Sequence, residues 1–307
     1  GHSFAFREYY TNVLSSIKEA LARADLTFVG LALGVYLASV VVVALRWRVV
    51  LEGVTGRRPP LLQLVLATFA SAFVSNITPT GRLGGEACRV AALRRLGCGS
   101  VPRAMATIAY ERLSEAPSIV AIAVVTLVVV GRLRIDATAV PWAWWVAIGA
   151  GFVAAVLLRT RVAIGWRRLR ERLRALHSFA IPASTLAVAV AVSAVIWILD
   201  VVRLRLVAAA FDAPVSFAQT ATLTAVTIVA GLVPTIGGLG VIEGGLVAAL
   251  IGLGVAPADA VAITIVERSM SYGIATVAGL GSLSLLGGRD LWKAVRVGPT
   301  AAEETAT

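Results

Sequence analysis

Long uncharged runs set the pattern of the chain. They are Thr27–Leu45, Pro59–Gly81, Ala137–Leu158, Ala175–Leu199, Ala213–Ile242 and Ser269–Gly288. Each is about the length that crosses a bilayer as a helix, roughly 20 residues. Charged residues lie between these runs or near their ends. The pattern predicts an all-α polytopic integral membrane protein, because a barrel would show short alternating segments instead. Ahead of the first run, residues 4–24 place Tyr10, Val13, Leu14, Ile17 and Leu21 at helical spacing. That predicts an amphipathic helix lying in the interface. Helices follow over Thr27–Leu51, Leu61–Ile77, Gly85–Leu96, Pro102–Val130 and Pro141–Leu158, with a basic turn at Arg57, Arg58, Pro59 and Pro60.

The second half repeats the first. Arg46-x-Arg48 returns as Arg203-x-Arg205, 157 positions on. PTGRLGGE, beginning at Pro79, returns as PTIGGLGVIE, beginning at Pro234, 155 positions on. Glu111-Arg112 returns as Glu267-Arg268, 156 positions on. Three landmarks in one order at nearly one offset indicate an internal duplication. The expected organisation is an interfacial helix (1–25), a first membrane repeat (26–135), a connecting span and basic loop (136–178), a second repeat (179–288) and a tail (289–307). The loop Arg159–Arg174 holds seven arginines and one glutamate, so the positive-inside rule places it, and the C-terminus, in the cytoplasm. Counting spans outward from that loop makes the two repeats inverted, a recurring transporter design with broken helices near the midplane.

The breaks carry the candidate chemistry. Pro79, Gly81, Gly84 and Gly85 interrupt the first repeat, and Pro234, Gly237, Gly238 and Gly240 the second. Backbone freed by such breaks must face protein or a polar cavity, and the helix that follows offers N–H groups to an anion. Two such hairpins, read as re-entrant, would meet near the membrane centre. Arg82, Arg89, Arg112 and Arg268 then hold an anionic headgroup, while Glu86, Glu111, Glu243 and Glu267 balance them or take up protons. Charge inside a span costs about 2.5–3.5 kcal/mol on insertion scales, which marks these residues as functional candidates. Ion pairs that merely lock helices together are the competing reading for Glu111, Arg112, Glu267 and Arg268. Arg46, Arg48, Arg203 and Arg205 read either as interfacial anchors, the first two beside Trp47, or, with Asp200, as secondary members of the site. Gly30 with Gly34 and Gly240 with Gly244 are expected at helix–helix contacts.

Composition narrows the function classes. Only 15% of the 307 residues are charged and 58% are hydrophobic, where a soluble domain carries about a quarter charged. The net charge of +11 is nearly all arginine flanking apolar runs, which fits orientation and anionic lipid, not nucleic acid. Cys88 and Cys98 have no metal-ligand spacing, and no metal or cofactor is expected. No phosphate-binding loop, HExxH, GxSxG or dinucleotide fingerprint occurs, so ATP-driven transport and a separate enzymatic activity are not expected. The start Gly-His-Ser, without an initiator Met, reads as a trimmed chain or a tag remnant.

The segments RWRVVL, SNITPTGRLGGEACR, ERLSE and LVPTIGGLGVIEGG resemble the lysylphosphatidylglycerol synthase transmembrane-region family, also called the flippase-like domain family. The resemblance covers about Leu26 to Gly287. Its motif residues fall on Arg46, Trp47, Pro79, Gly81, Gly84, Gly85, Glu86, Arg89, Glu111 and Arg112, and on Pro234, Gly237, Gly238, Gly240 and Glu243. In the bacterial multiple peptide resistance factor, the resemblance implies, such a domain moves aminoacylated phosphatidylglycerol while a soluble domain makes it. Archaeal relatives join it to a glycosyltransferase that uses a polyprenyl-phosphate carrier. Similar members begin with one more span. Without the synthase domain, the expectation is a flippase or scramblase for an anionic lipid in the cell membrane: a phospholipid, aminoacyl-phosphatidylglycerol or a polyprenyl-phosphate carrier. Its partners are membrane lipids and a separate lipid-modifying enzyme. The alternatives are a secondary transporter of a small anionic solute, or a non-transporting lipid-binding partner of a synthase.

Overall fold

The structure, a computed structural model, describes residues 14–78, 82–98, 100–132, 179–230 and 239–287. Every regular element among them is helical. Residues 14–23 are helical and belong to the stretch that the sequence predicts as an interfacial helix. Then come α1 (Leu26–Thr55), α2 (Leu61–Ile77), α3 (Arg82–Arg95), α4 (Val101–Arg132), α5 (Ala183–Ala209), α6 (Phe217–Ala230), α7 (Val241–Gly252), α8 (Pro257–Arg268) and α9 (Ala275–Leu285). A π-helical turn, Ser269–Ile274, joins α8 to α9. The predicted span Pro141–Leu158 and the arginine loop lie outside the described residues.

Local chemistry sets the ends. Asp25 caps α1, its carboxylate accepting from the Thr27 N–H at 2.7 Å. Gly56, at φ +68°, closes it with its N–H on the Glu52 carbonyl. The helix therefore runs past the expected end at Leu51, because Arg46, Trp47, Val50 and Leu51 are buried in packing instead of marking an interface. Pro60 and Pro182 stand just ahead of α2 and α5, and Pro257 opens α8.

Two features turn the chain inside out relative to a water-soluble protein. Leu31 and Leu37 on α1, Ile198 on α5, and Val277 and Leu285 on α9 are exposed. Arg46, Arg89, Glu111 and Glu267 are buried, although such residues are almost never buried unless paired. Both α1 and α5 are long and apolar enough to cross a membrane, and protein covers only a minority of each apolar stretch.

The long helices α1 and α5 make the most extensive helix–helix contact and run antiparallel along their length. Arg46 of α1 meets Ser193 of α5, while Arg203 of α5 stacks on Tyr36 of α1. At the ends, Gly53 abuts Thr185 and Ile181, and the Asp25 N–H donates to the Ala210 carbonyl at 2.9 Å. Tyr36 and Ser193 are 157 positions apart, as are Arg46 and Arg203. Val41 and Ile198 lie midway between these contacts. Around this pair the helices exchange: α2 packs on α9, and α6 packs on α4. Gly279 lets α9 touch the Phe69 backbone, and Asn76 donates to Thr276 Oγ1 at 2.9 Å while Tyr272 donates to the Asn76 carbonyl at 3.1 Å. One core cluster joins Trp47, Leu51, Leu64, Leu93 and Ile108. A second joins Tyr36, Leu204, Leu223, Leu246, Leu250 and Ile263.

The glycine expectation needs correction. A Cβ at Gly30, Gly34, Gly240 or Gly244 would meet nothing within 4 Å, so those pairs make no close contact among the described residues. Within the PTGRLGGE motif the tight glycines are Gly84, against Thr78, and Gly85, against Ser71 and Ser75. Both lie inside the first turns of α3 and serve the packing of α3 on α2. They are not the break itself, which falls between the end of α2 at Ile77 and the start of α3 at Arg82.

Candidate functional site

Helix α3 places Glu86 and Arg89 one turn apart, and α4 places Glu111 and Glu115 on one face. Arg46, near the C-terminal end of α1, faces both. The Arg89 guanidinium grips Glu111 with two bonds, Nη1 to Oε2 at 2.7 Å and Nη2 to Oε1 at 3.3 Å. It also stacks on the fully buried Trp47, 4.1 Å from the ring centre. Arg46 donates to Glu115 at 2.7 Å and to Ser193 Oγ at 3.1 Å, and lies 3.8 Å from Glu111. Arg112 donates to Glu115 at 3.0 Å and to Glu86 at 2.9 Å. Three arginines and three glutamates thus form one continuous network.

The second repeat rebuilds two of these pairings with matched residues. Arg203 donates to Glu267 at 2.8 Å, where Arg46 faces Glu111. The Arg268 Nε donates to Glu243 at 2.6 Å, where Arg112 holds Glu86. Ser271, in the place of Glu115, donates to Glu267 at 2.9 Å. Glu243 also accepts from the Gly240 N–H at 2.6 Å, where φ +84° at Gly240 turns the chain into α7. Asp200 stands 3.4 Å from Arg203.

A cavity of about 320 Å³ opens on the first network. Thr68, Ser71 and Ser75 of α2 line one side, Glu86, Arg89, Arg112 and Glu115 the next, and Trp197 and Asp200 of α5 the third. Arg89 and Glu111 are spent on each other, with side chains 9% and 2% exposed. Arg112 is the accessible cation, at 40%. A second cavity of about 420 Å³ beside Glu243, Arg268 and Tyr272 is lined mainly by apolar side chains, among them Leu239, Val247, Val261 and Ile265.

The expected residues therefore divide. Glu86, Arg89, Glu111 and Arg112 come together in the first network, with Arg46 as a full member and not an interfacial anchor. Glu243, Glu267, Arg268, Arg203 and Asp200 gather in the second. Neighbours in sequence do not pair with each other: Glu111 takes Arg89 and Arg46, and Arg112 takes Glu86 and Glu115, because successive helical positions point about 100° apart. No hydrogen bond or ion pair ties Arg48 or Arg205 to a described residue, and each has a buried nitrogen without a partner. Arg82 opens α3, with its side chain outside the described part; Pro79, Gly81, Pro234, Gly237 and Gly238 lie outside the described residues altogether. Glu115, Ser193, Tyr36 and Ser271 were not singled out from the sequence. Glu115 had a readable signal, four positions from Glu111 and three from Arg112. Ser193 had only its offset from Tyr36.

A UPF0104 membrane protein of Methanothermobacter thermautotrophicus is 27% identical over 305 residues, spanning 88% of this chain and 89% of that protein. A UPF0104 membrane protein of Pyrococcus horikoshii is 24% identical over 304 residues, spanning 88% and 90%. The family model described as the lysylphosphatidylglycerol synthase TM region matches residues 9–279. The chain, matched over most of its length, belongs to the lysylphosphatidylglycerol synthase TM region family, a family of membrane regions.

Proposed function

We propose that this chain is a carrier that moves an anionic lipid across the cell membrane without ATP hydrolysis. The observation that carries the reading is Arg112: a guanidinium open to a cavity, tied to Glu86 on the neighbouring helix and repeated as Arg268 with Glu243. A lipid phosphate is a bidentate partner for arginine. By displacing Glu86 it would release one of the two ion-pair ties between α3 and α4, leaving Arg89 on Glu111, and by displacing Glu243 it would release the Arg268 tie between α7 and α8. Headgroup capture would thus loosen one hairpin in each repeat. The headgroup travels through the cavities while the tails stay in the bilayer.

The reading takes the repeats as inverted and their broken hairpins as re-entrant. The antiparallel α1 and α5 and the exchange of α2 and α6 onto the opposite repeat support this. In the same reading the 159–174 loop and the C-terminal tail are cytoplasmic, and the chain works beside a separate lipid-modifying enzyme without being one. A family drawn from the membrane region of a lipid synthase favours a lipid over a soluble anion.

Proteoliposomes test the proposal, with labelled phosphatidylglycerol, a zwitterionic lipid, a short polyprenyl phosphate and a soluble organic phosphate. The parent should move one anionic lipid class. Arg112→Gln and Arg268→Gln should slow it roughly tenfold or more, the equivalent of one lost charge-assisted hydrogen bond. Movement of the soluble phosphate alone, or of no lipid by correctly inserted protein, would refute the reading.

A further inference from the structure

We infer that Asp200 is the binding site for one exchangeable proton, the coupling ion of this carrier; the coupling role rests on the lipid-carrier reading above. The charge balance of the two sets of ion-paired residues differs by this residue. In the first network Arg46, Arg89 and Arg112 meet Glu86, Glu111 and Glu115, and every carboxylate has an arginine within 2.9 Å. In the second, Glu243 has Arg268 at 2.6 Å, but Asp200 and Glu267 share Arg203. Glu267 holds the better place, with Arg203 at 2.8 Å and the Ser271 hydroxyl at 2.9 Å. Asp200 keeps an ion pair at 3.4 Å without a hydrogen bond.

Position makes that excess charge costly. Asp200 lies two residues from Ile198, about 3 Å along the axis from the midpoint of the α1–α5 pair at ~1.5 Å per residue. A carboxylate there that no cation balances is neutralised most cheaply by a proton. Duplication does not account for it. The matched position, 157 residues earlier, is Val43, which lines the same cavity without a charge. The site is reachable, since the Asp200 side chain is 27% exposed and lines the first cavity. The charged and titratable groups around it are Arg203, Glu267 and Tyr36 behind it, and Arg46, Arg89, Arg112, Glu86 and Glu115 across the cavity. A metal cation fits poorly: it seeks about six oxygens, and no group of three or more metal-binding side chains occurs among the described residues.

Coupling follows from placement. A phosphate arriving at Arg112 adds negative charge to the cavity that Asp200 faces, and so favours the protonated carboxyl. Its departure favours release. Lipid and proton then bind together and travel in the same direction.

Two readouts test this. In nanodiscs of zwitterionic lipid, infrared difference spectra between mildly acidic and mildly alkaline buffer should show a titrating carboxyl band in the parent. The band should shift in Asp200→Glu, vanish in Asp200→Asn and persist in Glu86→Gln. In proteoliposomes, a gradient of about one pH unit should displace the parent's lipid distribution by up to about tenfold. Asp200→Asn should lose that response whatever its rate without a gradient. A titrating band that survives in Asp200→Asn, or a lipid distribution that follows sodium and ignores pH, would overturn the assignment. If the parent moves no lipid, the carrier reading and the coupling role fall together, and the infrared band alone decides whether Asp200 binds a proton.

Discussion

Removing Glu111 should cost far more than removing a surface charge, and removing Arg89 with it should cost less than removing either alone. Glu111 is 1% exposed and receives both terminal nitrogens of Arg89. Among the described residues Arg89 has no other carboxylate within reach, whereas Arg46 keeps Glu115 at 2.7 Å. In Glu111→Leu the stranded guanidinium at position 89 has only the face of Trp47 left, which offsets about 2 kcal/mol when dry. Breaking a buried pair from one side costs roughly 3–5 kcal/mol, while replacing both partners by apolar side chains is often neutral. Neutral hydrogen bonds between membrane helices average only about 0.6 kcal/mol in comparable cycles, so the charged pair is separable from ordinary polar contacts. The assay is a double-mutant cycle of Glu111→Leu and Arg89→Met, read by reversible unfolding in mixed micelles. A coupling energy of several kcal/mol is expected. Single variants within about 1 kcal/mol of the parent, or an additive double variant, would refute the idea that this pair is a sealed structural unit.

Two further outcomes follow from local geometry. Gly85→Ala would drive a methyl group into Ser75 and the Ser71 backbone, and should destabilise by about 1–3 kcal/mol as overpacking does. Gly34→Ala, with open space around it, should be neutral or slightly stabilising in the same unfolding measurement. At the mouth of α1, the Thr27 backbone N–H holds the Asp25 carboxyl below its ordinary value of 3.8. A depressed folded-state value contributes stability that is complete above the unfolded value and lost as pH falls through the folded one. Hydrogen exchange in the first turn of α1 should therefore quicken on acidification in the parent, and be fast and pH-insensitive in this sense in Asp25→Ala. Equal protection in the two proteins at neutral pH would contradict the capping role.

What could be read from the sequence followed periodicity and spacing. The runs of apolar residues located α2 to within a few residues and the bodies of α1 and α5, whose C-terminal ends carry the charged residues and run about ten residues further, and the offsets near 157 located the matched motifs. Pairing was harder to see. A carboxylate chooses its arginine in three dimensions, so Glu111 passes over Arg112 beside it and takes Arg89, 22 positions away on another helix. The long ends of α1 were misjudged for the same reason. Arg46-Trp47-Arg48 has the composition of an interfacial belt, yet Arg46 and Trp47 are enclosed by α3, α4 and α5. Nothing in SMSYGI announces a π-turn, nor that Tyr272 within it reaches the Asn76 carbonyl 196 positions away.

That π-turn has a counterpart. Gly273, inside it, matches Pro117 of α4 at an offset of 156. Pro117 brings no N–H for the Leu113 carbonyl, and a π-turn likewise interrupts the regular ladder. Each long rod is thus scored at one point, just beyond its arginine. On one side of the score the arginine grips the hairpin of its own repeat. On the other, in the second repeat, α9 is clamped to α2 of the first. A rod scored between two grips behaves as a fulcrum: force applied at the arginine end bends the rod at a fixed place without pulling the far end from its clamp. The distance from fulcrum to arginine is five residues in each repeat, so in the carrier reading proposed above the two strokes would be equal in length.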